Sequence, residues 1–366
     1  MEKIENVIGQ HVRLKKYQKN GTDIRIGCCP FHFETAPSFL VFPKEDRFVC
    51  LSCGASGNTD DFMQLLHKKD PLPVPDTVKK EGYDRLYDVL ESACGYYSWR
   101  LQSDAGTEGL EYFHNRGLTD ETIKKFSLGT AGRFGDNLIR NLKKWGFSEE
   151  EIAAAGLSFQ KDDEAPTDRF YGRAMFPLKD EEGRVIGFTG RAITSEAVKK
   201  MKYVNTPETD IFKKRETLYG LDLAKQSQKD YFILVEGNMD VISMHQAGFD
   251  NAIASCGTAL TKQQCEVMKR YKQRVLLMYD ADDPGIISAI KAVKLLRETG
   301  LEVVVVDLIP FKDPDELIKA EGRSGMQNKI RSAVNATEFY ARNADPQEAL
   351  TELLLYTDPA KFDRLL

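Results

Sequence analysis

Between residues 231 and 308 the chain alternates short unbroken apolar runs with longer amphipathic stretches. Tyr231-Phe-Ile-Leu-Val, Arg274-Val-Leu-Leu-Met-Tyr and Val303-Val-Val-Val-Asp-Leu-Ile lack an apolar–polar alternation, so each reads as a strand covered on both faces. The pattern predicts strand 231–235, helix 239–247, strand 251–255, helix 261–271, strand 274–279, helix 285–299 and strand 302–308. Strands and helices in that rhythm imply right-handed βαβ units and a parallel sheet. A carboxylate follows each of the three runs: Glu236 after the first, Asp280 and Asp282 after the second, Asp313 and Asp315 after the third. In a parallel sheet the carboxyl ends share one edge, the edge at which open α/β sheets receive ligands.

Any one of these acids reads better as a solvated strand end; the series does not. Carboxylates gathered on one edge resist ionising together unless cations neutralise them. All-oxygen donors suit hard divalent ions, Mg²⁺ or Mn²⁺, whose usual substrates carry phosphates.

Upstream, helical spacing of Leu86, Val89, Leu90 and Ala93 predicts a helix over 83–101, with further helices at 107–115 and 119–126. Thr119 suits the cap of the last, although Thr122 stands where a capping box needs Glu or Gln. Ala174–Lys179 and Val185–Arg191, joined across Asp180–Gly183, read as a β-hairpin. Residues 334–366 read as helical. Pro71, Pro73 and Pro75 at alternate positions forbid a helix and mark an extended linker.

With 366 residues, 42% of them hydrophobic and 29% charged, the chain is expected to form two or three globular domains. We divide it into residues 1–68, a linker over 69–82, a basic block over 83–229, the parallel-sheet block over 230–322 and a helical segment over 323–366. It has neither an apolar stretch of membrane-spanning length nor a secretory leader pattern, so a cytoplasmic protein without a membrane partner is expected.

Cys29-Pro-Phe-His32 and Cys50-Leu-Ser-Cys53 form two tight knuckles with 17 residues between them. That spacing, with two β-rich arms around Pro43-Lys-Glu-Asp46, is a zinc-ribbon pattern for one structural Zn²⁺ held by Cys29, His32, Cys50 and Cys53. Cys28, Cys94, Cys256 and Cys265 are left as small buried or incidental thiols. Phe39, Phe42 and Phe48 lie on the arms beside Lys44 and Arg47, and serve equally as the ribbon's core or as platforms for unpaired bases.

The net charge of −5 disfavours a polynucleotide partner, but the cations are clustered. Arg13, Lys15, Lys16, Lys19 and Arg25 form one run, and Arg191, Lys199, Lys200, Lys202, Lys213, Lys214 and Arg215 a second. Each run alone is as well explained by a solvated face.

Together these stretches resemble the bacterial-type replicative DNA primases, the DnaG family. Cys28-Cys-Pro-Phe-His32 and Phe48-Val-Cys-Leu-Ser-Cys-Gly-Ala-Ser-Gly-Asn58 resemble its zinc-binding domain. Tyr112-Phe-His-Asn-Arg-Gly-Leu118, Met175-Phe-Pro-Leu-Lys-Asp180, Gly183-Arg-Val-Ile-Gly-Phe-Thr-Gly-Arg191 and Lys202-Tyr-Val-Asn-Thr-Pro-Glu-Thr209 resemble its basic polymerase subdomain. Val235-Glu-Gly-Asn-Met-Asp240, Tyr279-Asp-Ala-Asp-Asp-Pro-Gly285 and Lys312-Asp-Pro-Asp315 resemble its Toprim fold.

The resemblance implies an α/β multidomain chain: an N-terminal zinc ribbon, a mixed α+β basic subdomain, a Toprim parallel sheet and C-terminal helices. It also implies synthesis of short RNA primers on a single-stranded DNA template from ribonucleoside triphosphates. In that reading Glu236, Asp280 and Asp282 are catalytic. With Asp240, Asp313 and Asp315 they hold two or more Mg²⁺ or Mn²⁺ ions, while Arg116, Arg191, Lys202, Tyr203 and Lys214 contact nucleotide and template. Asn238 replaces the family's usual Tyr, and Asp283-Pro284 departs from its pattern, without removing a proposed ligand. The chain ends soon after the core, as a truncated or naturally short form would, leaving a replicative-helicase partner without its expected docking domain. A Toprim nuclease and a non-catalytic single-strand-binding mediator are the alternatives.

Overall fold

The computed structural model describes residues 3–10, 12, 14–19, 22–27, 29–30, 38–51, 55–68, 83–132, 137–161, 165–257 and 259–345. His32, Cys53, the predicted linker 69–82 and the end of the predicted C-terminal helical stretch lie outside the described residues.

The N-terminal part places helix α1 (Ile4–Gly9) and helix α2 (Thr59–Lys68) with a five-stranded antiparallel sheet in sequence order: β1 (Lys15–Lys19), β2 (Thr22–Gly27), β3 (Phe39–Phe42), β4 (Arg47–Cys50) and β5 (Ser56–Gly57). The β3–β4 hairpin is the one the sequence predicts; β1–β2 is an addition carrying Lys15, Lys16, Lys19 and Arg25 of the first basic run, whose Arg13 lies outside the described residues. Phe39 and Phe48 are fully buried and stack at 5.3 Å, with Phe62 edge-on to Phe48 at 5.6 Å. These rings fill a small core with Ile4, Ile8, Cys29 and Cys50. For Phe39 and Phe48 the choice between core and base platform therefore falls to core.

The next part runs α3 (Tyr83–Leu101), α4 (Thr107–Asn115), α5 (Asp120–Lys125), β6 (Gly129–Thr130), α6 (Asn137–Lys144), α7 (Glu149–Ala154), β7 (Ser158–Phe159), β8 (Thr167–Asp168), β9 (Arg173–Lys179), β10 (Val185–Ala192), α8 (Ser195–Lys200) and β11 (Tyr203–Asn205). Strands β11-β10-β9-β6 form an antiparallel sheet. The apolar stripe of α3 packs on it, with Tyr97 edge-on to Phe188 at 5.3 Å. Burying side chains of this size stabilises by roughly 1.5–3 kcal/mol each. The Thr119 side chain accepts from the Thr122 N–H and fixes the start of α5.

The last part runs β12 (Leu218–Tyr219), α9 (Leu221–Ala224), β13 (Tyr231–Val235), α10 (Asn238–Gln246), β14 (Ala252–Ser255), α11 (Lys262–Tyr271), β15 (Arg274–Leu277), α12 (Asp283–Glu298), β16 (Glu302–Val305), α13 (Pro314–Arg331), β17 (Val334–Asn335) and α14 (Ala336–Asn343). The strands form one sheet in the order β12-β14-β13-β15-β16-β17. Its four inner strands are parallel, and its two short edge strands are antiparallel to their neighbours. Along β13, Phe232 and Leu234 enter the core on one face while Ile233 and Val235 enter the core on the other, which is why the run shows no alternation.

Three predicted boundaries move by two residues or more. Strands β15 and β16 stop at Leu277 and Val305, earlier than their apolar runs, and α12 starts two residues sooner than expected. Asp282 is the cause of the early start: its side chain accepts from the Gly285 N–H, and Pro284 stands in the first turn, where its missing N–H costs nothing. The predicted helical stretch after residue 333 begins with β17 and only then becomes α14.

Candidate metal centre and basic ridge

Because the inner strands are parallel, β13, β15 and β16 deliver their chains to one edge, and α10, α12 and α13 begin there. The acids are built into those junctions. Glu236 follows β13, and its Oε1 accepts from the Asp280 N–H at 3.2 Å. Asp240, in the first turn of α10, accepts from the Gly237 N–H at 3.1 Å. Asp282 caps α12 and Asp313 caps α13, the latter accepting from the Glu316 N–H at 2.8 Å. Three helix N-termini thus point their positive ends at the acid edge and partly offset its charge. Gly285 is needed here: a Cβ on it would fall 2.1 Å from the Asp280 carbonyl oxygen.

The charge is far from balanced. Burial, then the carboxylates of Asp280, Asp313 and Asp315, push Asp240 up to about 8. Asp280 is pushed up to about 7 by burial and by Glu236, Asp313 and Asp282, with Lys312 opposing. Glu236 moves upward chiefly through burial. A nearby dication would reverse these shifts. Among the described residues, no group of three or more His, Cys, Asp and Glu side chains is already drawn together as a metal cage. The acids are instead held by peptide N–H groups and by Lys312, whose Nζ stands 3.4 Å from Asp282 Oδ2. The all-oxygen donor set, its unfavourable self-repulsion and its position fit a hard divalent ion.

Asp315 differs from the other five. It is nearly buried, its Oδ1 accepts from Ser243 Oγ at 2.7 Å, and its Oδ2 faces Lys319 at 2.7 Å and Arg116 at 3.2 Å. Arg116 follows α4, so this pair ties the basic part to the acid edge. Gln246 of α10 bonds the same loop twice, donating to the Gly117 carbonyl and accepting from the Thr119 N–H, each at 2.9 Å.

The ridge continues on β10 and β11. Arg191 and Tyr203 are register partners, with the guanidinium 4.8 Å from the centre of the exposed phenol ring. Burial raises the Tyr112 hydroxyl, and the charges of Tyr203, Arg191, Arg116 and Asp315 all reach it. Lys202 is exposed beside Tyr203, and its carbonyl accepts from Ala192 N–H at 2.9 Å. Lys214 is held by its backbone, donating N–H to Glu208 at 2.8 Å and accepting from Gln264 at 3.3 Å.

Of the four predicted zinc ligands, Cys29 and Cys50 are described, and both are buried in the ribbon core. Cys50 Sγ lies 3.3 Å from Ser38 Oγ, and the Cys50 N–H donates to the Ala55 carbonyl at 2.7 Å, closing the second knuckle. Soft thiolates at the turn of a ribbon suit zinc. Sequence reasoning missed Ser243, Lys312 and Lys319. Only the i,i+4 spacing of Asp315 and Lys319 offered a signal.

A small antiparallel ribbon with buried knuckle cysteines, a basic mixed subdomain and an acid-edged parallel sheet define a zinc-ribbon and Toprim-type core. The chain belongs to the DnaG-type DNA primase family. Three families match in order: CHC2 zinc finger over residues 1–80, DNA primase catalytic core, N-terminal domain, over 96–225, and Toprim-like over 233–318. Among curated relatives, the DNA primase of Clostridium acetobutylicum is 36% identical over 93% of this chain and 59% of its own length. That of Escherichia coli K12 is 31% identical over 95% of this chain and 63% of its own length. The chain thus spans less than two thirds of these relatives. Among solved structures, the Aquifex aeolicus primase zinc-binding and RNA polymerase domains superpose with a TM-score of 0.69 at 29% identity, covering 100% of this chain and 93% of that one. The DnaG primase catalytic domain bound to ssDNA matches with a TM-score of 0.65 at 33% identity, covering 72% of this chain and 83% of that one. The zinc-finger and Toprim families imply use of zinc and of divalent metal. Among the described residues, no helix is long and apolar enough to cross a membrane.

Proposed function

We propose that the chain is a DNA primase, a DNA-directed RNA polymerase that makes short RNA primers on single-stranded DNA from ribonucleoside triphosphates in the cytoplasm. The observation that carries this reading is the Arg116–Asp315 contact, which brings a residue of the basic set against the acid edge. Phosphoryl transfer asks mainly for positioning and charge stabilisation, and cations beside a carboxylate edge that can take divalent ions support this reading.

In this reading Glu236, Asp280 and Asp282 hold the catalytic Mg²⁺ or Mn²⁺, and Asp240, Asp313 and Asp315 complete the acidic set. Two such ions, when bound, lower the pKa of an attacking 3′-hydroxyl and offset charge on the leaving pyrophosphate. Arg116, Arg191, Lys202 and Lys214 bind phosphates of nucleotide and template. Tyr203, exposed beneath the Arg191 guanidinium, stacks on a base while Arg191 reaches the adjoining phosphate. Cys29, His32, Cys50 and Cys53 hold one structural zinc that folds the ribbon, which engages the template.

The test supplies labelled single-stranded DNA of varied trinucleotide content, ribonucleotides and Mg²⁺ or Mn²⁺. Short RNA products are expected. Shortened DNA would point instead to a nuclease, and binding without either product to a non-catalytic mediator.

A further inference from the structure

Lys312 stands among the acids and no part of the reaction described above uses it. Its backbone is fixed at both ends. The N–H donates to Glu316 Oε2 at 2.6 Å, and the carbonyl accepts from the Ala281 N–H at 2.8 Å. The residue is therefore stitched between the start of α13 and the loop that carries Asp280 and Asp282. Its side chain is exposed, and its ammonium lies 3.4 Å from Asp282 Oδ2. The other oxygen of that carboxylate is committed: Asp282 Oδ1 accepts the Gly285 N–H that caps α12. Oδ2 is the oxygen without that cap bond and so the more open to a cation, and it is the atom Lys312 faces. Asp280 and Asp313 also lie within reach of its charge.

We propose that Lys312 is a built-in competitor for the divalent ion at Asp282, holding that carboxylate when no ion is bound and turning its ammonium to the nucleotide triphosphate once an ion takes its place. The inference rests on the metal reading above and adds to it a residue that sets how much divalent ion the site requires. The chemistry favours lysine for such a task, since its ammonium is a compact charge on a flexible stem and leaves one carboxylate oxygen as readily as it meets it. Anchoring the backbone while leaving the side chain in solvent keeps the charge local without locking it.

The experiment uses the full chain, without nucleotide, at fixed pH and ionic strength, and follows free Mn²⁺ by its electron-spin resonance signal. Wild type, Lys312→Met, Lys312→Arg, Asp282→Asn, the Lys312→Met/Asp282→Asn double variant and Asp280→Asn are compared. Lys312→Met is expected to tighten the weaker Mn²⁺ site by about two- to fivefold, the range of an exposed ion pair, whereas Lys312→Arg keeps the wild-type affinity. The gain is expected to vanish when Asp282 is already Asn. In a second titration at saturating Mn²⁺, Lys312→Met is expected to bind a ribonucleoside triphosphate more weakly by a similar factor. Equal Mn²⁺ isotherms for wild type and Lys312→Met would overturn the proposal while Asp280→Asn still loses metal. If Asp280→Asn and Asp282→Asn also leave the isotherm unchanged, the metal reading fails and takes this one with it.

Discussion

The guanidinium of Arg116 lies 3.2 Å from the nearly buried carboxylate of Asp315, and this pair joins the loop after α4 to the first turn of α13. Ser243 and Lys319 hold the same carboxylate from its other sides. Removing the charge leaves Arg116 and Lys319 facing an uncompensated site, whereas removing Arg116 leaves Asp315 with two partners. Asp315→Asn is therefore expected to lower unfolding stability by about 1–3 kcal/mol, and Arg116→Ala, a half-exposed group, by less. Urea titrations of both single variants and the double variant check this. Additive losses would show that the two residues are not coupled.

The Arg191–Tyr203 pair separates charge from stacking. Arg191→Ala is expected to weaken single-stranded DNA binding and to lower the salt slope of log K by about one phosphate's worth. Tyr203→Ala is expected to cost about 1–3 kcal/mol of binding with the slope unchanged, and Tyr203→Phe to retain most of the affinity. Fluorescence anisotropy across a salt series distinguishes the two. An unchanged slope in Arg191→Ala would remove that residue from the template path.

Cys50 sits in the ribbon's own core, whose residues are distinct from those of the other three clusters. Cys50→Ser is expected to lose zinc and unfold the ribbon while the later domains keep their melting transition. Metal analysis with calorimetry tests this, and full zinc content in the variant would contradict the ligand assignment.

His245 gives the fold a pH dependence independent of the acids' metal chemistry. Its ring is buried, Nε2 bonds the Ala252 carbonyl at 3.0 Å, and burial lowers its pKa to about 4. The folded state therefore takes up the proton less readily than the unfolded one. Stability from this group is complete above the ordinary histidine range and falls as pH drops from about 6.5 towards about 4, by up to about 3 kcal/mol. The difference in unfolding free energy between wild type and His245→Gln is expected to shrink across that window. A pH-independent difference would show that His245 is not responsible.

The parallel sheet was legible because both faces of β13 and β15 are covered, which leaves unbroken apolar runs; β16 is equally apolar in sequence but has only one face covered, with Val303 and Val305 buried and Val304 exposed. The edge strands β12 and β17 were not legible, since two-residue strands carry no period. The β1–β2 hairpin was hidden by its lysines, which read as a solvated charge run. At the site, the acids were visible because each stands at a strand-to-helix junction. The partners of Asp315 were not: Ser243 and Arg116 reach it from distant parts of the chain, and only the fold brings them together. The placement of Lys312 likewise depends on backbone bonds from Glu316 and Ala281 that no local pattern announces.

The central claim is that the acid edge carries out nucleotide addition while the basic ridge holds the template. Asp280→Ala measured for both RNA synthesis and single-stranded DNA binding tests it most directly. Synthesis is expected to fall to background with template affinity largely intact. Full synthesis in Asp280→Ala would contradict the account.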